Sequence, residues 1–427
     1  MKNQEKELKI QISKEVDNQK DEIFKTIQKL IRIPSVTGDE GEAQEFIFKL
    51  YLSLGLDVKK LIPKKEELIQ HQAYVETGLP YNESRPNIIG ILPGVGNGRS
   101  LILNGHIDVV PPDPIETWDE DGPWSGKIIG NRLYGRGAAD MKSGLIANFF
   151  ALKTILNLNL QPKGKIILES VIEEEAGGSE GTLALFLAGY KADLMITPEP
   201  FELKVITAHP GINYFRVTVL GKTAHAAQSH KGINAIGKLS KIYERLTKLD
   251  KERAKRNRYE FFEKLTGRSC NLNIGTFHAG NWASTVAGSA TLEARISYLP
   301  YETEEGIKKE VRNAIDEVVS KDSWLKEHPP IIEWYGWRAL PWVQDHNAFG
   351  VKQFLKTASE VLSQKVDVAA CTCGLDARFG SYFGVPSLVF GPKGGLLHSS
   401  NEYVELDSVI KTIKVLATFI VNWCKVS

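Results

Sequence analysis

Cysteine is scarce in this chain. There are four, Cys270, Cys371, Cys373 and Cys424, among 427 residues, too few and too irregularly spaced for a disulfide framework. Cys371 and Cys373 form a C-x-C pair; without a second pair it reads as buried free thiols rather than a metal knuckle. Net charge is almost absent too, because 53 Lys plus Arg face 52 Asp plus Glu. No global field therefore draws nucleic acid or an anionic membrane, and the basic run 251–258, KERAKRNR, reads as a solvated helix face. No apolar stretch reaches the ~18 residues that span a bilayer. The opening segment MKNQEKELKIQISKE lacks the apolar core of a signal peptide. The expectation is a cytoplasmic globular protein with a small-molecule substrate, no nucleic acid and no membrane.

What is present is an alternation of short apolar runs and helical patterns. Ile23, Ile27, Leu30 and Ile31 share one face of a helical pattern within residues 1–33, and a second amphipathic helix follows through Phe46, Leu50 and Leu54. Apolar runs at 87–92, 100–103, 165–169 and 193–197, with a helix over 143–156, predict an α/β layered domain with a mixed, largely parallel sheet. After Pro210 the texture changes. Strands at 214–220, 272–277, 290–298 and 331–337 and helices at 234–246 and 304–319 give the order β-α-β-β-α-β, a ferredoxin-like α+β module. The pattern predicts a discontinuous catalytic domain, 1–210 and 341–427, interrupted by an insert over 211–340.

Chemistry-bearing residues cluster just beyond the predicted strands, where an open α/β sheet presents its functional groups. His106 and Asp108 in GHIDVVP lie two apart at a strand end and so share a face; this suits a histidine ligand held by a carboxylate. Asp140 sits in the glycine-bracketed loop YGRGAADMKSG. Glu173, Glu174 and Glu175 stand in a row before Gly177 and Gly178, and would repel one another unless cations or solvent relieved them. Glu199 lies between two prolines, and His398 follows the Gly394-Gly395 turn.

The segments GHIDVVP, YGRGAADMKSG, EEEAGGSEGT, PEP, GKTAHA and LHSSNEYV, in this order, resemble the family of acetylornithine deacetylase, succinyl-diaminopimelate desuccinylase, aminoacylase and glutamate carboxypeptidase. The resemblance covers nearly the whole chain beyond its first thirty or so residues. It implies a zinc-peptidase-like catalytic domain with an inserted lid and dimerisation domain, and a homodimer formed through that insert. It implies two divalent ions bridged by Asp140, zinc by preference, with cobalt or manganese accepted by the same donors. His106 and Glu199 would complete one site, and Glu175 and His398 the other. Asp108 would orient His106, Glu174 would be the general base, and His225 in GKTAHA would stabilise the oxyanion after domain closure. Arg378, in LDAR, and Arg295, in LEAR, offer bidentate forks for a substrate carboxylate, with Arg378 preferred. The implied activity is metal-dependent hydrolysis of an N-acyl amino acid or related N-acylated amine.

The chain departs from the family pattern at Leu375, Leu397, Ser284 and Ala287, none of them a proposed ligand; the departures bear on substrate identity. Trp282, Trp118 and Trp124 are candidates for an acyl or ring pocket. Within the family the alternative is a dipeptidase or carboxypeptidase. Outside it, GGSEG at 177–181 matches the G-x-S-x-G elbow of serine hydrolases, with Ser179 as nucleophile and Asp376 and His398 downstream. A metal-stabilised scaffold without turnover is the remaining reading, and the presence of Glu174 argues against it.

Overall fold

The computed structural model describes every residue except Met1 and Glu120. Its centre is an eight-stranded sheet built from β1 (Asp57–Leu61), β2 (Asn87–Leu92), β3 (Leu101–His106), β4 (Ile166–Val171), β5 (Met195–Thr197), β6 (Val205–Ile206), and two strands that return near the C-terminus. Between β6 and those two lie β7 (Gly211–Leu220), β8 (Leu272–Ala279), β9 (Ser289–Tyr298) and β10 (Ile331–Ala339), and the returning strands are β11 (Val368–Ala369) and β12 (Ser387–Val389). The order across the large sheet is β1-β2-β4-β3-β5-β12-β6-β11. The middle pairs, β4 with β3, β3 with β5 and β5 with β12, are parallel; β1 with β2 and β2 with β4 are antiparallel.

Burial explains this arrangement. Every residue of β3 and β4 is buried, as strands covered on both faces must be. One face packs under α4 (Ser143–Asn157), α7 (Phe349–Leu362) and α8 (Leu406–Cys424), with α1 (Lys2–Asn18), α2 (Lys20–Ile31) and α3 (Gly41–Ser53) completing the layer. The helical pattern within residues 1–33 is thus two helices meeting at Gln19, whose side-chain nitrogen donates to Thr154 Oγ1. The opposite face buries Ile89, Ile102, Ile167 and Phe379 in a second cluster.

The inserted sheet stands apart, ordered β8-β9-β7-β10 and antiparallel throughout. Phe215, Val217 and Val219 from alternate positions of β7 bury against α5 (Ala235–Arg256) and α6 (Glu304–Val319). The expected α/β class with an α+β insert therefore holds. One helix differs in length: α5 runs on to Arg256, because Leu246, Leu249 and Arg253 continue its buried face at helical spacing. The basic run is consequently not all solvated, since Arg253 is buried and donates to Glu302 and Glu310. Of the C-x-C pair expected to be buried free thiols, Cys371 is buried and Cys373 is exposed; Cys270 and Cys424 are buried free thiols too.

A segment that carried no sequence signal, residues 62–86, crosses the half built on the large sheet as a strap. Arg85 pins it. Its guanidinium forks onto Glu40, with Nε to Oε2 at 2.7 Å and Nη2 to Oε1 at 3.0 Å, and reaches Glu180 Oε2 at 2.8 Å. All three side chains are buried. Removing the cation would strand two carboxylates in a dry interior, a loss of roughly 3–5 kcal/mol. Arg85→Met should lower the free energy of unfolding by about that amount in a denaturant titration; a change below ~1 kcal/mol would contradict the assignment.

Candidate metal centre

The parallel strands β3, β4, β5 and β12 end on one edge of the sheet, and the loops leaving that edge carry the site. His106 is the last residue of β3. Its Nδ1 lies 2.9 Å from the Asp108 carbonyl oxygen and 3.5 Å from Asp108 Oδ1. Both partners accept, so Nδ1 carries the proton of the neutral ring and Nε2 offers its lone pair to the site. Nε2 faces Asp140 Oδ1 at 3.2 Å and Glu199 Oε1 at 3.5 Å. On the other side His398 Nε2 lies 3.3 Å from Asp140 Oδ2 and 3.1 Å from Glu175 Oε2. Two triads result, His106-Asp140-Glu199 and Asp140-Glu175-His398, and within each the ligand atoms all lie within 4.8 Å of one another.

The electrostatics ask for cations. Burial and the Asp140 charge push Glu199 up to about 8 and raise Glu175 above the usual carboxylate range. Glu174 is raised well above it, first by burial and then by the charges of Asp376, Glu199 and Glu175. His106 is raised despite burial, because Glu199 and the hydrogen bonds to Asp108, Asp140 and Glu199 outweigh it. Carboxylates that resist ionisation beside imidazoles that cling to protons are a donor set completed by positive charge. Nitrogen and oxygen donors of this kind fit a divalent ion of the zinc, cobalt or manganese type.

Two buried carboxylates outside the triads hold the loops. Asp108 Oδ1 accepts the Glu174 N–H at 3.1 Å, and Oδ2 accepts the Glu175 N–H at 3.2 Å and the Thr37 hydroxyl at 2.9 Å. Its carboxylate thus fixes the glutamate elbow, while its backbone carbonyl is the nearer partner of His106. Glu402 does the same for the Asp140 loop. Its Oε1 accepts the N–H groups of Ala139 and Asp140 at 2.9 and 3.1 Å, and its Oε2 accepts Gly137 N–H at 3.1 Å and Arg136 at 2.7 Å. Sequence reasoning missed Glu402 as a functional residue, although it stands in the LHSSNEYV segment; partners 263 positions away leave no local trace. The glycine after the elbow is required: Gly178 has φ +70°, and a Cβ there would meet Asp376 Oδ1 at 2.1 Å.

Other expected site residues lie differently. His225 is exposed on the insert, and its Nδ1 accepts the Ala227 N–H at the start of a short turn; no contact joins it to the triads among the described residues. Arg378 is not an open fork. It is 2% exposed, and its guanidinium donates to the Leu375 and Gly177 carbonyls while packed against the rings of Phe379 and Trp337. Two of its N–H groups go to backbone carbonyls, Asp376 Oδ1 lies 3.5 Å from Nη1, and the group is buried, so it does not present the open fork expected of a carboxylate reader. Arg295 is half-buried and donates to the Thr372 carbonyl at 2.7 Å. The serine-hydrolase arrangement is absent: Ser179 is fully buried with its Oγ accepting the Val75 N–H, and Asp376 accepts from Thr182. A cleft of about 1060 Å³ runs past Glu175 between the strap and the insert, with Tyr74, Tyr214 and Trp337 among its walls. Trp282 is exposed elsewhere on the insert, and Trp118 and Trp124 do not line this cleft.

Residues 102–422 match the family model described as peptidase family M20/M25/M40. The chain is 29% identical over 436 residues, covering 96% of each, to the N-formyl-4-amino-5-aminomethyl-2-methylpyrimidine deformylase of Halalkalibacterium halodurans. It is 29% identical to the Bacillus subtilis protein of the same name, over 79% of this chain and 83% of that one. Among solved structures it resembles the dipeptidase Dug1p of Saccharomyces cerevisiae, with a TM-score of 0.77, 15% identity and 98% of each chain covered.

Glu402→Gln would set an amide N–H against backbone N–H donors and loosen the Asp140 loop. Divalent-cation affinity, measured by calorimetric titration with zinc, should fall about 10–100-fold; an unchanged affinity would show that the loop holds itself.

Proposed function

The chain belongs to peptidase family M20/M25/M40, and from that premise we propose that it is a deacylase, cutting the amide bond of an N-acyl amino acid or related N-acylated amine. The observation that carries the reading is the pair of triads sharing Asp140, with the buried Glu174 in the same elbow as the ligand Glu175. In this proposal His106, Asp140 and Glu199 hold one cation and Asp140, Glu175 and His398 the other, zinc being the preferred ion. Bound divalent cations would polarise the amide carbonyl and bring the pKa of a held water from ~15.7 to about 7.

The chain's own groups do the rest. Glu174 takes the proton of the attacking water on its carboxylate and hands it to the amine nitrogen as the C–N bond breaks. Burial, which raises the affinity of this carboxyl for a proton, suits it to carry that proton between the two steps. Asp108 keeps Glu174 and Glu175 at their stations through their backbone N–H groups. His225 is proposed to donate to the developing oxyanion. Since it is exposed on β7's following loop, residues 211–340 must act as a lid on the catalytic unit formed by 1–210 and 341–427, within one chain or across a homodimer built on the insert. The free thiols accord with a cytoplasmic setting.

Removal of a formyl group, the activity in the name of the full-length relative from Halalkalibacterium, favours deacylation. Dipeptide hydrolysis is the second reading, and the likeness to Dug1p supports it only through the shared fold. Amine release from N-formyl, N-acetyl and N-succinyl amines and simple dipeptides, on chelator-stripped protein before and after adding zinc or cobalt, tests both. Metal-restored cleavage of an N-acyl amine is the expected result; cleavage confined to dipeptides would replace deacylation with peptidase activity, and no cleavage would count against an enzyme of either kind.

Two substitutions separate the roles. Glu174→Gln should lower kcat by about 10²–10⁴-fold with cation content unchanged, as read by elemental analysis beside steady-state rates. His225→Ala should lower kcat by about 10²–10³-fold, again with full cation content; a normal kcat would remove the insert from the chemistry.

A further inference from the structure

Strand β10 of the insert is irregular where it pairs with β7. Tyr335 faces Tyr214 and Arg338 faces Asn213, which leaves Gly336 and Trp337 as the extra residues of a bulge. Gly336 takes φ +61°, a left-handed value that suits glycine. Bulges re-aim the side chains they carry, and this one sends the Trp337 indole onto the half built on the large sheet. The ring covers Gly374 so closely that a Cβ there would lie 1.8 Å from its Cη2. The Arg378 guanidinium lies over the same ring, 5.0 Å from its centroid. Trp337 is buried, and its Nε1 donates to the Glu174 carbonyl at 3.3 Å. That carbonyl also accepts the Gly177 N–H at 3.0 Å, the bond that closes the elbow's turn, and the Gly177 carbonyl accepts in turn from Arg378. The insert meets the same loop a second time, where Arg295 donates to the Thr372 carbonyl at 2.7 Å. Apolar packing alone would need neither a glycine under the ring nor an N–H aimed at the elbow.

We propose that Trp337 is a positioning residue: seated over Gly374, it holds the Glu174 carbonyl, so that the insert helps set where the Glu174 carboxyl stands. Asp108 holds the elbow by its N–H groups, and Trp337 holds it by a carbonyl, from the other half of the molecule. A carboxyl that must carry a proton between two atoms loses rate steeply when displaced. The inference rests on the reading of Glu174 as general base. It deepens that reading by making the base depend on how the insert is docked as well as on its own half.

The test compares Trp337→Phe, which keeps a ring and loses the N–H, with Gly374→Ala, which pushes the indole off its seat, and with the two combined. Gly374 does not sit in the left-handed region, so alanine there acts through its Cβ. Each full-length, zinc-loaded chain is followed by hydrogen–deuterium exchange in peptides covering residues 172–180, beside zinc content and circular dichroism. Exchange in the elbow should quicken about 3–10-fold in each single variant, the worth of one hydrogen bond, with zinc content unchanged. For whichever member of the amide panel is cleaved, kcat should fall about 10–100-fold while KM holds. The double variant should match Trp337→Phe alone, since the shorter ring leaves the alanine room. A ring that merely packs would instead give stability losses that add, with elbow exchange and kcat unmoved. Unchanged elbow exchange in the single variants, or effects on exchange that add in the double one, would overturn the proposal. In the unaltered protein carrying isotope-labelled tryptophan, the Trp337 indole N–H should exchange as slowly as the elbow amides; fast exchange would overturn the proposal without any variant. An amide panel without turnover would sink the deacylase reading, while the exchange results would still judge the seat.

Discussion

Asp140 divides its two carboxylate oxygens between His106 and His398, at 3.2 and 3.3 Å, and thereby joins two triads whose other members are Glu199 and Glu175. Concentrating carboxylates in a partly dry place is costly unless cations offset it. The fold supplies the place through topology: parallel strands in the middle of the sheet all release their chains at one edge, so ligands distant in sequence arrive together. It then spends further buried acids, Asp108 and Glu402, on fixing backbone rather than on ligation. Each accepts several N–H groups from a loop that bears a ligand, so neither loop relies on its own conformation alone.

The catalytic half was readable in the sequence because its signals are local. His106, Asp140, Glu175, Glu199 and His398 each follow an apolar run or a glycine turn, and the structure brings all five together. The ferredoxin-like insert was readable for the same reason, from strands of alternating burial and helices with one apolar stripe. What escaped depends on distant partners. Arg378 resembles an exposed fork when only its neighbours Asp376 and Ala377 are visible, and its role changes once the Gly177 carbonyl is placed against it. Glu402 and the strap pinned by Arg85 escaped likewise, because an ion pair across 95 residues has no periodicity to betray it. The basic run was misjudged through Arg253 and Asn257, both buried, whose shared partner Glu302 lies beyond the strand β9.

The two halves divide the work differently. The large sheet is buried beneath its helices, and its loops carry every proposed ligand. The insert contributes aromatic groups to the cleft wall and reaches the elbow directly, since Trp337 Nε1 donates to the Glu174 carbonyl at 3.3 Å. His225, on the same insert, remains exposed; under the proposed function the oxyanion donor would sit on the insert, while the cations and the base would sit on the other half. Such a division would let substrate binding favour closure before the bond is cut.

The central claim is that one carboxylate bridges two cations, and the most direct measurement is the number of ions bound. Chelator-stripped protein, titrated with zinc and separated from free metal by equilibrium dialysis, should take up two ions per chain. The Asp140→Asn variant should fill neither site at the same free zinc concentration. Fewer than two ions in the unaltered protein, or two retained after Asp140→Asn, would contradict the account.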